Sequence, residues 1–119
     1  MGDLSENFSR SEFACKCCGE QIEMNADLIK SLQKLRTIYG KPITINSGYR
    51  CPEHNKAVGG VNDSEHVTGE AVDISCTTSQ LRYELVELSL CRFQRIGIAK
   101  TFLHFGVGKA KSQDVIWVY

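Results

Sequence analysis

The chain has 119 residues, 42% of them hydrophobic and 24% charged, with ten glycines against two prolines. That composition excludes disorder and low complexity, and the length suits one hydrophobic core, so a single domain over residues 1–119 is expected. Fourteen basic residues balance fourteen acidic ones, which excludes the electrostatic footprint of a general nucleic-acid binder.

Residues 1–12 read as an irregular polar segment. They carry Asp3, Glu6 and Arg10 and no apolar run, so neither a secretory leader nor a membrane anchor is expected, and the chain is expected to be made in the cytoplasm. Polar character continues to Glu20, with one turn around Ser11–Ala14 that Ser9 could cap. From Asn25 the pattern changes. Leu28, Ile29, Leu32, Leu35 and Ile38 recur at three- and four-residue steps between an Asn N-cap and Gly40, which predicts an amphipathic helix. Pro42 ends it, and Ile43-Thr44-Ile45 reads as a short half-buried strand. The stretch Glu53–Gly69 holds Gly59-Gly60 and Asn62-Asp63-Ser64, too many breakers for a long element. A loop of that length inside a compact domain is usually functional. Ala71–Ser75 alternates as a strand, Thr78–Leu90 has helical spacing, and Arg95–Ala99, Phe102–Val107 and Val115–Tyr119 read as three further strands. The expected class is α+β, a small antiparallel sheet flanked by helices and ending in an antiparallel meander.

Six cysteines are many for such a chain. Cys15, Cys17 and Cys18 are clustered, while Cys51, Cys76 and Cys91 are scattered. Disulfides are disfavoured for a chain made in the cytoplasm. A Cys-x-Cys-Cys cluster binds soft metal only if a fourth ligand folds beside it, and the sequence shows no second paired knuckle. The prevailing expectation is therefore thiols packed as small hydrophobes.

The chemistry converges elsewhere. If Ala71–Ser75 is a strand, Val72 and Ile74 face the core and Asp73 faces the wetter side, with His66 in the loop just before it. Alternation in Phe102–Val107 sets His104 opposite Leu103 and Phe105. His66, Asp73 and His104 can thus meet on one sheet face, a three-ligand set of the kind catalytic zinc uses, with the fourth position left for water.

Ser64-Glu65-His66-Val67-Thr68-Gly69-Glu70-Ala71-Val72-Asp73 matches the S-x-H-x-x-G-x-A-x-D pattern of the zinc D-Ala-D-Ala carboxypeptidases and murein endopeptidases, whose fold the hedgehog signalling domain shares. Ser47-Gly48-Tyr49-Arg50 is similar to that family's S-G-Y-R turn, and Phe102-Leu103-His104 resembles its last metal-binding strand. The resemblance covers about residues 13–119. It implies a hedgehog or D-Ala-D-Ala peptidase-like fold, zinc held by His66, Asp73 and His104, and substrate contacts from Arg50 and Ser64. Arg50 would grip a substrate carboxylate bidentately or steady the carbonyl oxygen as charge develops. His54 and Asn55 read as supporting groups.

One position departs from the pattern. Gly106 stands where the branch this chain most resembles usually has Asp, and Thr101 where other branches have an acid. The carboxylates left to act as general base are Glu65, Asp63 and Glu70, of which Glu65 adjoins a ligand. The resemblance implies a zinc metallopeptidase hydrolysing an amide bond in peptidoglycan stem peptides, as a D-Ala-D-Ala carboxypeptidase or an endolysin-type endopeptidase. Its alternative is a weakly active or inactive zinc-containing module that binds peptidoglycan or a protein. A monomer of phage or prophage type, acting on the cell wall without nucleic-acid or membrane partners, is expected.

Overall fold

A computed structural model describes residues 2–119. Its elements are a single 3-10 turn (Arg10–Phe13), α1 (Ala26–Tyr39), β1 (Ile45–Ser47), α2 (Pro52–Ala57), β2 (Ala71–Ser75), α3 (Ser79–Ser89), β3 (Arg95–Ile98), β4 (Phe102–Gly106) and β5 (Val115–Val118). The strands form one sheet in the order β1-β2-β4-β3-β5, and the class is the α+β expected from the sequence.

Local chemistry explains the helices. The Asn25 side chain accepts the backbone N–H groups of Asp27 and Leu28, at 2.8 and 3.1 Å, satisfying donors that the first turn of α1 leaves free. Gly40 closes α1 in the left-handed region at φ 76°, which glycine adopts without strain. The Thr78 hydroxyl caps α3 through Leu81 N–H at 3.1 Å. Along α1, Leu28, Leu32 and Leu35 are fully buried and Ile29 nearly so. Each such side chain contributes about 1.5–3 kcal/mol. Ile38, the last of the expected stripe, lies outside at 55% exposure.

α1 and α3 cover one face of the sheet. Val72 and Ile74 of β2, Leu103 and Phe105 of β4, Ile96 of β3 and the α1 leucines form one cluster, within which Phe93 stacks on Phe105 at 4.5 Å. The opposite face receives the alternate residues. Because Asp73 pairs in register with His104, and His104 with Gly97, these positions form one row across the middle of the sheet.

Four expectations shift. The first strand begins at Ile45 rather than Ile43: the N–H of Ser75, the last residue of β2, bonds to Thr44 O at 2.9 Å, so Ile43 has no strand opposite it. The stretch read as loop contains α2, a helix short enough for its glycine-rich surroundings to hide, with Pro52 at its first position and Cys51 as cap. The chain does not finish as an antiparallel meander. β4 already lies between β2 and β3, so β5 joins the outer edge of β3, and joins it in parallel. β4 ends opposite Arg95 and β5 starts opposite Arg95, so the connection only crosses the end of β3. The first twelve residues are less irregular than expected, since Glu12 accepts Ser9 N–H at 2.7 Å and Phe8 and Phe13 are buried. No helix among the described residues is long and apolar enough to cross a membrane.

Candidate metal centre and its cleft

His66, Asp73 and His104 each place one donor atom within 4.8 Å of the other two. They arrive from three segments. Asp73 stands at the middle of β2 and His104 directly opposite on β4, both on the face away from α1 and α3, while His66 comes from the turn preceding β2. That turn is closed by Glu70 N–H to Glu65 O at 2.9 Å and opened to β2 by Gly69 at φ 74°. The S-G-Y-R turn braces it from the other side: Arg50 N–H bonds to His66 O at 3.1 Å. Gly48 is required there, because a Cβ would lie 2.6 Å from the Cα of Phe13.

Hydrogen bonding places a proton on one nitrogen of His66, while His104 bridges two carboxylates. His66 Nδ1 lies 2.7 Å from the Gly48 carbonyl oxygen, which only accepts, so Nδ1 holds the proton and the Nε2 lone pair points at Asp73 Oδ1, 3.2 Å away. His104 Nε2 lies 3.2 Å from Glu65 Oε1, and its Nδ1 lies 2.9 Å from the same Asp73 oxygen. With Nε2 donating to Glu65, the second lone pair also faces Asp73. Two imidazole lone pairs and a carboxylate oxygen aimed at one another repel unless a cation or extra protons sit between them. Two neutral imidazoles and one carboxylate are the donor set of an open transition-metal site, and each imidazole has its other nitrogen held by an acceptor, as metal-binding histidines do. The residues therefore fit a metal ion. When protons rather than a cation lie between these groups, burial would raise the pKa of Asp73, yet hydrogen bonds from His104 and His66 hold it well below the usual carboxylate range. Burial would lower that of His104, and the facing Asp73 and Glu65 carboxylates raise it.

Glu65 is 5% exposed and held by three donors: His104 Nε2, Arg95 Nε at 3.0 Å and Gly108 N–H at 2.8 Å. Against the cost of burial, these lower its pKa. Its carboxylate occupies the space in which a side chain at position 106 would begin, since a Cβ on Gly106 would overlap both Glu65 oxygens. The acid expected on β4 is thus replaced by one from the neighbouring loop, behind His104. Asp63 is 80% exposed at its side chain and paired with Lys111 at 2.8 Å, and Glu70 accepts the Thr68 hydroxyl at 2.5 Å. Neither borders the metal centre.

The centre opens into a cleft of about 560 Å³ whose walls include Arg50, Ser64, Lys111, Trp117 and Tyr119. Arg50 is half-buried, and its Nε is buried without a hydrogen-bond partner. Desolvation lowers its pKa, opposed by the charge of Asp73. Among the described residues no carboxylate forms an ion pair with it. Ser64 Oγ accepts His66 N–H at 3.2 Å. Asn55 stands away from the centre and braces the loop, donating to Val61 O at 2.7 Å, while His54 sits on α2 with its N–H toward Cys51 Sγ at 3.4 Å.

Sequence reasoning missed the wall opposite Arg50. Trp117 lies 5.3 Å from the His104 ring and under the Arg95 guanidinium at 5.0 Å, and Tyr119 packs edge-on to Phe102. Alternation in Val115–Tyr119 already put Trp117 and Tyr119 on one face, but only the parallel register with β3 says which. Gly97 makes their approach possible, because a Cβ there would meet both rings at 2.8 Å.

The profile of the family described as Peptidase M15 matches residues 6–112. No curated protein matches the chain.

Proposed function

Because the chain belongs to the Peptidase M15 family, we propose that it is a zinc-dependent peptidase hydrolysing an amide bond in peptidoglycan stem peptides, as a D-Ala-D-Ala carboxypeptidase or an endolysin-type endopeptidase. M15 peptidases are metal-dependent, and the observation that carries the reading is the pair of imidazole nitrogens turned onto one Asp73 oxygen. His66, Asp73 and His104 are the residues that would hold the ion. Zinc bound there supplies Lewis acidity, polarising a carbonyl oxygen and acidifying water.

The remaining roles belong to the chain itself. Gly48 O and Glu65 hold the two imidazoles in the tautomers that leave one lone pair each for the metal. Arg50, half-buried beside Asp73 with no acid partner, offers its planar fork to the C-terminal carboxylate or a carbonyl of the stem peptide. Ser64 accepts from His66 N–H, so its own hydroxyl proton is available to a substrate acceptor. The aromatic rings of Trp117 and Tyr119 close the opposite side and exclude water from the bound peptide. We assign Glu65 the positioning of His104, since three donors fixed by the protein already claim its oxygens. On this reading the protein acts on the cell wall as a monomeric lysin of phage or prophage type.

That engagement of Glu65 favours a second reading, a weakly active or inactive zinc-containing module that holds a muropeptide or a protein. Among the described residues the only side-chain carboxylates bordering the cleft are Asp73 and Glu65, and loss of a general base costs about 10²–10⁴ in rate. Digestion of purified peptidoglycan separates the two. Peptide or amino-acid release that a chelator stops, zinc restores and His66→Ala abolishes supports the peptidase; tight chelator-sensitive binding with no product supports the module. Release unaffected by complete metal removal would end both.

A further inference from the structure

A second group of donors lies on the other side of Arg50. Cys15, Cys17, Cys18 and Cys51 bring their four Sγ atoms within 4.8 Å of one another, with Cys15 to Cys17 at 3.6 Å and Cys17 to Cys51 at 3.5 Å. The three clustered cysteines alone lacked a fourth partner. The fold supplies it from the residue that follows Arg50, over thirty positions away in the chain.

We propose that these four cysteines hold a second metal ion, a structural zinc in a closed tetrahedral thiolate site. Zn–S bonds of about 2.3 Å give a tetrahedral Sγ···Sγ edge of about 3.8 Å, close to the Cys15–Cys17 and Cys17–Cys51 separations. All six cysteines are free thiols. Cys15 and Cys18 have the C-x₂-C spacing of a zinc knuckle, and the glycine that follows, Gly19, turns the chain at φ 76°. Two backbone bonds shape that loop, Cys15 N–H to Glu20 O and Gly19 N–H to Cys15 O, both 2.8 Å. The sulfurs also receive N–H groups, as metal-bound thiolates do: Cys51 N–H to Cys15 Sγ and His54 N–H to Cys51 Sγ, each 3.4 Å. Cys15 and Cys51 are buried and Cys17 and Cys18 exposed, so an ion enters from solvent and seals the inner pair. The donor set is all sulfur with no position for water, which suits zinc as a clamp and not as a catalyst. Binding requires all four thiols to release their protons.

The site has a structural consequence for the cleft. It ties the 15–20 loop to Cys51, and Arg50, whose own N–H braces His66, immediately precedes Cys51. The ion would thus fix the backbone that aims Arg50, while its own coordination stays independent of His66, Asp73 and His104.

Metal analysis and cobalt substitution test this. Wild-type protein purified under reducing conditions should carry two zinc equivalents. Cys17→Ser and Cys18→Ser, both at exposed positions, should each carry one, as should His104→Ala. Cobalt-loaded wild type and cobalt-loaded His104→Ala should both show the intense sulfur-to-cobalt charge-transfer absorption of a tetrahedral thiolate site, and Cys17→Ser should lose it. The wild-type spectrum needs no variant to fold. Absence of that band in wild type, an iron chromophore in the purified protein, or an intact mass showing cysteines paired as disulfides would each overturn the proposal. None of these outcomes bears on chelator-sensitive peptidoglycan release, which depends on His66, so the two readings fail separately.

Discussion

At the scale of residues, Glu65 and Gly106 form one unit. A carboxylate at position 65 and a side chain at position 106 compete for the same space, so Gly106→Asp alone should destabilise the fold by about 1–3 kcal/mol through overpacking and charge repulsion. Combining it with Glu65→Ala should recover much of that loss, a coupling that a double-mutant cycle by thermal or urea unfolding will measure. The role of Glu65 is separable by another substitution. Glu65→Gln should weaken metal binding about 10–100-fold, the usual effect of losing the carboxylate behind a metal-bound histidine, when metal affinity is titrated with a competing chelator. Unchanged affinity with a rate lower by about 10²–10⁴ would instead make Glu65 the general base. Arg50→Lys keeps the charge but loses the fork, and should lower kcat/KM on a stem peptide about 10–100-fold, as expected for about 1.5–3 kcal/mol of charged hydrogen bonding, with metal content unchanged.

At the scale of elements, β5 matters because it is carried past Gly97. A valine at position 97 would drive its Cβ into the rings of Trp117 and Tyr119, levering that wall off the cleft while leaving β2 and β4 paired. Gly97→Val should therefore raise KM with metal stoichiometry intact, and quench or shift the fluorescence of Trp117, the single tryptophan. A variant that loses metal as well would mean that β5 supports His104 rather than only the substrate. α1 contributes differently, since its leucines are fully buried beneath the sheet and touch no donor of the metal centre.

At the scale of the whole molecule, metal and fold are linked. An ion bound only by the native state stabilises it by RT ln(1 + [L]/Kd), about 2.7 kcal/mol at a hundredfold excess over Kd. Chelation should lower Tm, and re-addition of zinc should restore it. Protons compete for the same donors. His104 has its pKa raised above the ordinary histidine value by Asp73 and Glu65, so the imidazole that must be neutral to bind metal is protonated earlier than usual as the solution is acidified. Metal occupancy should accordingly fall with decreasing pH when followed by chelator competition, and the pH at which it falls should move lower as zinc is raised. A pH dependence that did not move with zinc concentration would contradict this coupling.

The sequence by itself determined the α+β class, the α1 stripe with its Asn25 and Gly40 ends, and the sheet face shared by Asp73 and His104. Helical and strand periods are local, and a two-residue alternation assigns faces without any knowledge of neighbours. Motif residues 64–73 and Arg50 were legible for the same reason, being read in short contiguous runs. Tertiary structure alone decided what depends on pairing between distant segments. The parallel seat of β5 brought Trp117 and Tyr119 to the cleft, Glu65 filled the volume beside Gly106, and Cys51 joined a cluster more than thirty residues earlier. Each is a contact between segments that no local period relates, fixed only when strand order, register and excluded volume are settled together.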